Sequence, residues 1–274
     1  MEKRSVPLSG SRIVKRYLKL YIHFLSFSFS KALEFRFDFL FKIFMDTIYY
    51  IISILFFKII FLHSSQVAGW TEAQTMIFVA TFLLIDAINM TVFSTNLWWL
   101  PSYINKGDLD LYLTKPISPL FFLSLREFSA NSFVNLLIAS GFFLYSLLNY
   151  PQTLSLTQYL GFFILIFNGV ILYYTLQMLM IIPVFWTHSA RGFIDLFYAL
   201  GVAVERPDRI YKGTLRFIFT TLLPFSLVAS YPTRFLFEAD SALFFYSTSI
   251  SICVFLSMIF FWRRGLKNYS SASS

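Results

Sequence analysis

Few charged residues interrupt the apolar stretches of this sequence, and those few are its first candidates for chemistry. Asp86 lies near the middle of one such stretch, and no Lys or Arg lies within a helical turn of it. An ionisable residue inside an apolar helix marks a substrate or ion pathway by default. Asp86 is therefore the candidate translocation-path residue. The alternatives are pairing with Lys42 or Lys58, or a hydrogen bond to a neighbouring helix.

Lys42 and Asp46 form a second group of interest in the first apolar stretch. Residues four positions apart share one face of a helix, so their opposite charges can neutralise each other. This spacing favours a structural ion pair rather than a functional site.

The sequence shows no catalytic or metal-binding arrangement. It has no nucleophile elbow, no paired His-Glu motif and no glycine-rich phosphate loop. Its histidines, His23, His63 and His188, lack the spacing of metal ligands, and Cys253 is the sole cysteine. We therefore expect no catalytic residue, no metal and no ATP-binding motif in this chain.

The elements that would position these residues are long apolar helices. The sequence is 57% hydrophobic and 13% charged, which is typical of a membrane protein. Apolar stretches of about 20 residues are long enough to cross a bilayer core of about 30 Å. They predict an all-α polytopic membrane protein with six transmembrane helices, starting near Phe39, Met76, Ala130, Gln158, Leu215 and Leu243. The predicted segments are 1–38 (N-terminus), 39–262 (transmembrane domain) and 263–274 (tail).

The N-terminal segment mixes basic and aromatic residues at helical spacing. Over residues 11–37 this pattern predicts an amphipathic helix lying in the inner membrane interface. The alternative is an ordinary basic segment beside the membrane. The residues expected on its apolar face are Ile13, Tyr17, Leu20, Phe24 and Phe27.

The distribution of Lys and Arg predicts the topology. The breaks at 63–75 and 149–157 contain neither, whereas 97–126, 187–216 and the tail are basic. Since basic loops stay on the cytoplasmic side, both termini are expected there, with an uncleaved N-terminus. Topology thus explains the net charge of +8, and no nucleic-acid partner is expected.

The segment between the fourth and fifth predicted spans is less regular. Its apolar run of 192–204 contains Asp195 and is too short to span. We expect it at the inner interface or packed on other helices. The fifth span is predicted over about 214–230 with a break at Pro224, followed at 231–240 by an outer bend, for which a re-entrant segment is the alternative.

The loop after the second span has the features of a docking element. Gly107 permits a sharp turn, Asp108 suits a helix start, Pro116 ends that helix and Pro119 begins the next one. A short amphipathic helix in an inward loop is suited to a cytoplasmic partner; the alternative is a connector lying on the bilayer. Its apolar contacts would come from Leu109, Leu111, Tyr112 and Leu113.

This loop also carries a family resemblance. Residues 107–120, GDLDLYLTKPISPL, resemble the G-x-L-D-x-x-L-x-[KR]-P-x-[SN]-P-L signature of type-2 ABC exporter permeases, in the six-helix bacterial branch called ABC-2 family transporter proteins. Shorter resemblances follow in order along the chain. They are Phe185-Trp186, Leu223-Pro224-Phe225 with Tyr231-Pro232, and the tail from Gly265 to Ser273.

The resemblance implies a permease subunit of an ABC exporter in the bacterial cytoplasmic membrane. Such a subunit forms half of the translocation pathway, beside a second permease in a homo- or heterodimer. ATP and Mg²⁺ would bind to a separate ATP-binding subunit, so this chain would hold no cofactor. Family substrates include drugs, antibiotics, lipids and polysaccharides, among which this sequence does not choose. The alternative function is a non-transport membrane scaffold or a channel.

The resemblance further implies that the docking loop couples the permease to its ATPase. Tyr112 is the expected principal anchor, and Asp108 and Asp110 would set the orientation through their charge. The complete expected set is Gly107, Asp108, Leu109, Asp110, Tyr112, Leu113, Lys115, Pro116 and Pro119.

Overall fold

The computed structural model describes residues 10–34, 36–189 and 191–269, and no strand occurs among them. The ends of two predicted segments, 1–9 and 270–274, lie outside the described residues, as does the side chain of Ile13. The helices are α1 (Gly10–Glu34), α2 (Arg36–Phe61), α3 (Glu72–Asn89), α4 (Thr95–Lys106), α5 (Asp110–Leu113), α6 (Pro119–Leu125), α7 (Ala130–Leu148), α8 (Leu156–Ile181), α9 (Val184–Thr187), α10 (Arg191–Gly201), α11 (Gly213–Phe217), α12 (Leu227–Glu238) and α13 (Ser241–Asn268). Short π-helical turns cover Met90–Ser94 and Ile218–Leu222, and a 3₁₀ turn covers Asp208–Ile210.

Five helical runs in the described part of the chain are long and apolar enough to cross a membrane. They agree with the predicted first, second, third, fourth and sixth spans. The chain is therefore a multi-pass, all-α membrane protein. The runs are Arg36–Phe61, Glu72–Lys106, Ala130–Leu148, Leu156–Thr187 and Ser241–Asn268.

The predicted fifth span is a bent pair of helices. Gly213–Leu222 and Leu227–Glu238 meet at an angle of 100°, so the count is six spans only if this pair is one of them. Both arms bind the buried carboxylate of Asp208, through Arg216 at 2.8 Å and Arg234 at 3.1 Å. Two arms that meet the same side chain are folded back on each other.

Contacts at the two ends of this bent pair, called the re-entrant pair below, bring both of them to the same end of the bundle. Arg209, just before it, bonds to Glu238 at its end and lies against Gly69. Phe237 packs on Trp70, with ring centroids 6.2 Å apart. The chain thus enters and leaves the pair at the end of the bundle that carries the loop between α2 and α3. Residues 231–238, predicted as an outer bend, instead belong to helix α12.

The expected inward position of residues 187–213 is wrong for the second half of that segment. At its start, Asn105 donates a hydrogen bond to the carbonyl oxygen of His188 (3.1 Å), beside the end of α4. At its end, Arg209 lies beside Gly69, at the opposite end of the bundle. The segment therefore runs along the bundle, and α10 packs on α8 through Phe197 and Tyr173 (5.5 Å). Packing on other helices was one of the two expected arrangements of this segment.

Helix α1 packs on the connection between α4 and α7. Tyr17 contacts Phe121 with a centroid distance of 4.6 Å, and Phe24 contacts Phe122 at 5.4 Å. Phe27, expected on the same face, is instead 69% exposed. Residues Gly10–Glu34 are helical, while an amphipathic helix lying in the membrane interface stays a prediction.

The predicted ion pair of Lys42 with Asp46 does not form. Lys42 Nζ instead lies 2.7 Å from Asp38 Oδ2, one turn earlier on α2. Asp46 turns inward, where Asn135 Nδ2 of α7 donates to its Oδ2 at 2.7 Å. Asp38 and Asp46 each lie four residues from Lys42. Because the amide of Asn135 binds Asp46, Lys42 pairs with Asp38.

Close packing of α12 on α8 holds the re-entrant pair in the bundle. A Cβ added to Gly169 would lie 2.4 Å from the carbonyl oxygen of Val228 and 3.1 Å from Ile85 Cδ1. Only a residue without a side chain allows the two backbones to approach so closely.

Gly169→Ala should therefore destabilise the protein, because a backbone carbonyl cannot move aside as a side chain can. Overpacking of this kind costs about 1–3 kcal/mol. The free energy of unfolding in mixed micelles measures the effect. Gly141→Ala in α7 is the matched control, since no atom lies within 4 Å of its added Cβ. Equal stability of the two variants would contradict the close approach.

The corrected topology predicts which positions share a side of the membrane. In a Cys253→Ser background, an impermeant thiol reagent should label Ser65→Cys and Ile210→Cys from one side, and Leu111→Cys from the other. All three positions are exposed in the structure. Labelling of positions 210 and 111 from the same side would restore the topology expected from the charge distribution.

Candidate functional site

The docking loop, residues 107–119, lies at the end of the bundle where the C-termini of α4 and α13 are found. Gly107 ends α4 with φ of +81°, a left-handed conformation that glycine adopts without strain. One helical turn follows, α5, and the next helix, α6, has Pro119 in its first turn and Ser118 as its N-cap. The short helix predicted between Gly107 and Pro116 is therefore present, but it begins at Asp110 with Leu109 as its N-cap, and not at Asp108 as predicted.

Most of the apolar side chains of the loop face the protein. Leu109 is fully buried in the apolar cluster that also contains Met178, Phe185 and Trp262. Leu113 and Tyr112 pack against the same cluster. Leu111 points the other way and is 64% exposed. The apolar contacts of the loop thus hold it on the bundle, and Leu111 is its outward apolar residue.

Tyr112 lies in a compact aromatic and cationic cluster. Its ring is 5.5 Å from that of Tyr103 on α4 and 5.3 Å from that of Phe122 on α6. Its hydroxyl accepts a hydrogen bond from Arg126. The Nζ of Lys115 lies 4.5 Å from the ring centroid of Phe122. Tyr112 therefore fixes the loop to two helices.

Arg126 binds three groups at the centre of this cluster. Besides Tyr112, its Nη2 donates to Tyr103 Oη at 2.7 Å and to Glu127 Oε1 at 2.8 Å. Burial lowers the pKa of Arg126, but the hydrogen bonds to Glu127 and Tyr103 outweigh it, so the pKa is raised overall. The guanidinium is charged at every physiological pH.

The tail motif packs beside the loop. Asn268 Nδ2 donates to the carbonyl oxygen of Phe185 at 3.1 Å, and the ring of Phe185 lies 5.5 Å from that of Trp262. Burial, followed by the charge of Asp110 in the loop, raises the pKa of Tyr269. The loop, Phe185 and the tail, separate in sequence, thus meet in one place.

A second site surrounds Asp86, which is only 8% exposed. It borders a cavity of about 290 Å³. In the described part of the chain, no hydrogen bond or ion pair reaches its carboxylate, so neither Lys42 nor Lys58 neutralises it. Polar residues of α2, α8 and the segment around α10 also line the cavity. They are Asp46, Tyr49, Tyr173, Tyr198 and Glu205.

A family model described as ABC-2 family transporter protein matches residues 47–273. The chain belongs to this family. No curated protein and no solved structure matches it. The match includes the docking loop and the residues around Asp86 except Asp46, which precedes it together with α1 and the first turns of α2.

As an ABC-2 family protein, the chain is a membrane component of an ABC transport system. Members of this family generally lack an ATPase of their own, so membership implies an ATP-binding partner. The sequence accordingly showed no glycine-rich phosphate loop.

Glu205 is the residue of this transporter that the sequence reasoning missed. It lies four residues after α10, in a segment expected to face inward as a whole. In the structure Tyr49 Oη donates to Glu205 Oε1 at 2.8 Å across the cavity. The sequence signal for it is the apolar run 192–204, which is followed directly by Glu205. This pattern is typical of a helix that ends at a polar cavity.

Arg126→Lys should loosen the docking loop of this transporter. A single ammonium group cannot bind Tyr103, Tyr112 and Glu127 in the forked geometry of a guanidinium. A lost hydrogen bond to a charged group is worth about 1.5–3 kcal/mol, which is at least tenfold in an opening equilibrium. Hydrogen exchange of residues 107–117 should be faster by about that factor. Arg263→Lys, at an exposed position of α13, is the control. Unchanged exchange in Arg126→Lys would show that the cluster does not hold the loop.

Proposed function

We propose that this chain is the permease subunit of an ABC exporter and that the loop of residues 107–119 couples it to a separate ATP-binding subunit. ATP and Mg²⁺ bind to that partner, which performs the hydrolysis. The observation that carries the proposal is the construction of the loop. Its buried side chains join it firmly to α4 and α6, while Leu111 faces outward at the end of the bundle.

The docking surface proposed here centres on Leu111. Exposed apolar residues that fill a pocket of the partner supply much of the binding energy at interfaces. Asp108 and Asp110 precede Leu111 and are partly exposed, so their charges orient the partner. Lys115 and Pro116 complete the exposed rim. Leu111 replaces Tyr112 as the principal anchor, because the ring and hydroxyl of Tyr112 are already engaged within the chain.

The same contacts suggest how motion passes into the membrane. The Tyr112 cluster ties the loop to α4, and α4 continues α3 through the π-helical turn Met90–Ser94. Such turns interrupt the regular hydrogen bonding and occur often at functional sites. Closure of the partner ATPases would move the loop, and α3 with Asp86 would shift as a rigid body about this turn.

The charge at the loop end supports a cytoplasmic location for that end. With the loop on the cytoplasmic side, the C-terminal end of α13 lies there too. Basic residues concentrate on the cytoplasmic side of membrane proteins. Those at this end are Lys106, Lys115, Arg263, Arg264 and Lys267.

The other half of the pathway would come from a second permease chain, identical or different, in the bacterial cytoplasmic membrane. Helix α2 is the least buried of the five membrane-crossing runs and exposes large apolar side chains along its length. This face is available to the second chain or to lipid. Export as the direction rests on the resemblance of the loop to exporter permeases.

Leu111→Ala should weaken assembly with the ATPase without affecting folding. Burying a leucine is worth about 1.5–3 kcal/mol, so affinity should fall by about tenfold or more. The measurement is the amount of ATPase that copurifies with the tagged permease after expression of the complete gene cluster.

Leu148→Ala is the matched control for this experiment. Leu148 is 84% exposed at the end of α7, far from the loop. The control should retain the ATPase at the wild-type level. A Leu111→Ala variant that also retains it would show that the loop is not the docking element. A wild-type chain that copurifies with no ATPase would overturn the proposed function itself.

A further inference from the structure

The cavity beside Asp86 is strongly acidic. Asp46, Asp86 and Glu205 all border it, and no Lys or Arg is among its lining residues in the described part of the chain. Two of these acids have partners, since Asn135 donates to Asp46 and Tyr49 donates to Glu205. Among the residues that the structure describes, none pairs with Asp86, although it is more than nine-tenths buried. An isolated buried carboxylate is costly unless something neutralises it.

From this geometry we propose that the cavity binds the ammonium group of an amine. A cation is the ligand that compensates Asp86, and a charge-assisted hydrogen bond is stronger than a neutral one. An anionic ligand would add to the repulsion among the three acids. A neutral ligand would leave the charge of Asp86 without compensation.

Aromatic side chains around the cavity favour an organic cation. Tyr49, Tyr50, Tyr173 and Tyr198 contribute to its lining. Tyrosine rings attract cations through their negative faces, and groups of such rings recognise ammonium compounds. The rings also offer apolar surface to the carbon body that carries the charge. A bare metal ion would gain less from this lining than an amine does.

The size of the cavity limits what enters it. Ligand sites of proteins usually measure about 300–1,000 Å³, and this cavity of about 290 Å³ is at the lower limit. It therefore accommodates a small amine or the amino end of a larger molecule. A free amine and the head group of phosphatidylethanolamine share this chemistry.

That amines are the transported substrates rests on the proposed transport function. That the cavity binds an ammonium group can be tested independently of that function. Asp86 lies on α3, the helix that the docking loop would move, and Glu205 follows α10. A cation between these two elements would bridge them. Its release would accompany their separation during transport.

Radiolabelled phenethylamine is a suitable probe, because it carries an ammonium group on a small aromatic body. Binding is measured by scintillation proximity on the full chain in phosphatidylglycerol nanodiscs, without ATPase or ATP. Asp86→Asn should weaken binding by at least about tenfold, the loss expected when a charge-assisted hydrogen bond becomes a neutral one. Glu72→Gln, at an exposed position in the first turn of the same helix, should leave binding unchanged.

The wild-type chain provides a second test that needs no variant. Excess 2-phenylethanol, a neutral compound of nearly the same shape, should compete poorly with phenethylamine. Equal competition by the alcohol, or equal binding by Asp86→Asn, would overturn the proposal, since Asp86 would then not recognise charge. Absence of any phenethylamine binding would also overturn it.

Nanodiscs that contain phosphatidylethanolamine distinguish the two sources of the amine. Competition by this lipid would identify a head group as the ligand, whereas unaffected probe binding would identify a free amine; both support an ammonium site. Because these measurements omit the ATPase, they are independent of the proposed function. If the chain binds its ATPase but not the amine, the proposed ligand class is overturned and the proposed transport function is not.

Discussion

The carboxylate of Asp208 is the contact on which the second half of the bundle depends. It is completely buried, and it binds Arg216 of α11 and Arg234 of α12 at once. Removing a carboxylate from water costs several kcal/mol, which opposite charges and hydrogen bonds must offset. Either arginine alone would be compatible with a straight helix over 214–230. Because both arginines bind the same carboxylate, the chain between them must fold back.

The position of the Asp86 cavity follows from that contact. Asp208 also donates its backbone N–H to Ser230 Oγ of α12 at 3.0 Å, which fixes the segment after α10 against the re-entrant pair. Glu205, three residues earlier, is thereby placed opposite Tyr49. At Gly169, α8 lies close both to α12 and to Ile85, the neighbour of Asp86. The acidic cavity is thus a consequence of how the re-entrant pair is anchored.

Hydropathy predicted five of the spans because apolar length alone distinguishes a helix in lipid from a loop. It could not distinguish a spanning helix from a re-entrant pair over 214–230, since both have the same composition. For residues 205–213 the charge count failed for a related reason. Arg209 and Arg216 pair with carboxylates brought to them by folding, so they do not report the side of the membrane as free loop charges do.

In the docking loop too, the sequence predicts local backbone features but not contacts between residues distant in sequence. Gly107 and Pro119 act through their own backbone, so the sequence located the turn and the helix start correctly. Which apolar side chain faces outward depends on the cluster formed by α8 and α13, far away in sequence. For that reason Tyr112, and not Leu111, was expected to be the principal anchor. The partner of Lys42 also depends on a distant residue. Asn135, on another helix, binds Asp46, and Lys42 therefore pairs with Asp38.

One continuous helical run, Glu72–Lys106, carries Asp86 and leads directly into the docking loop, and this connection has a thermodynamic consequence. If a cation at Asp86 favours one orientation of α3, it also favours one position of α4 and of the loop attached to it. Coupling between two binding sites is reciprocal, so an ATPase that prefers that loop position must strengthen cation binding by the same factor. The π-helical turn at Met90–Ser94 determines how much of this coupling survives, since a stiff run transmits an orientation and a flexible one absorbs it. Coupling between the two sites would then depend on the stiffness of five residues, the first of which, Met90, also lines the cavity.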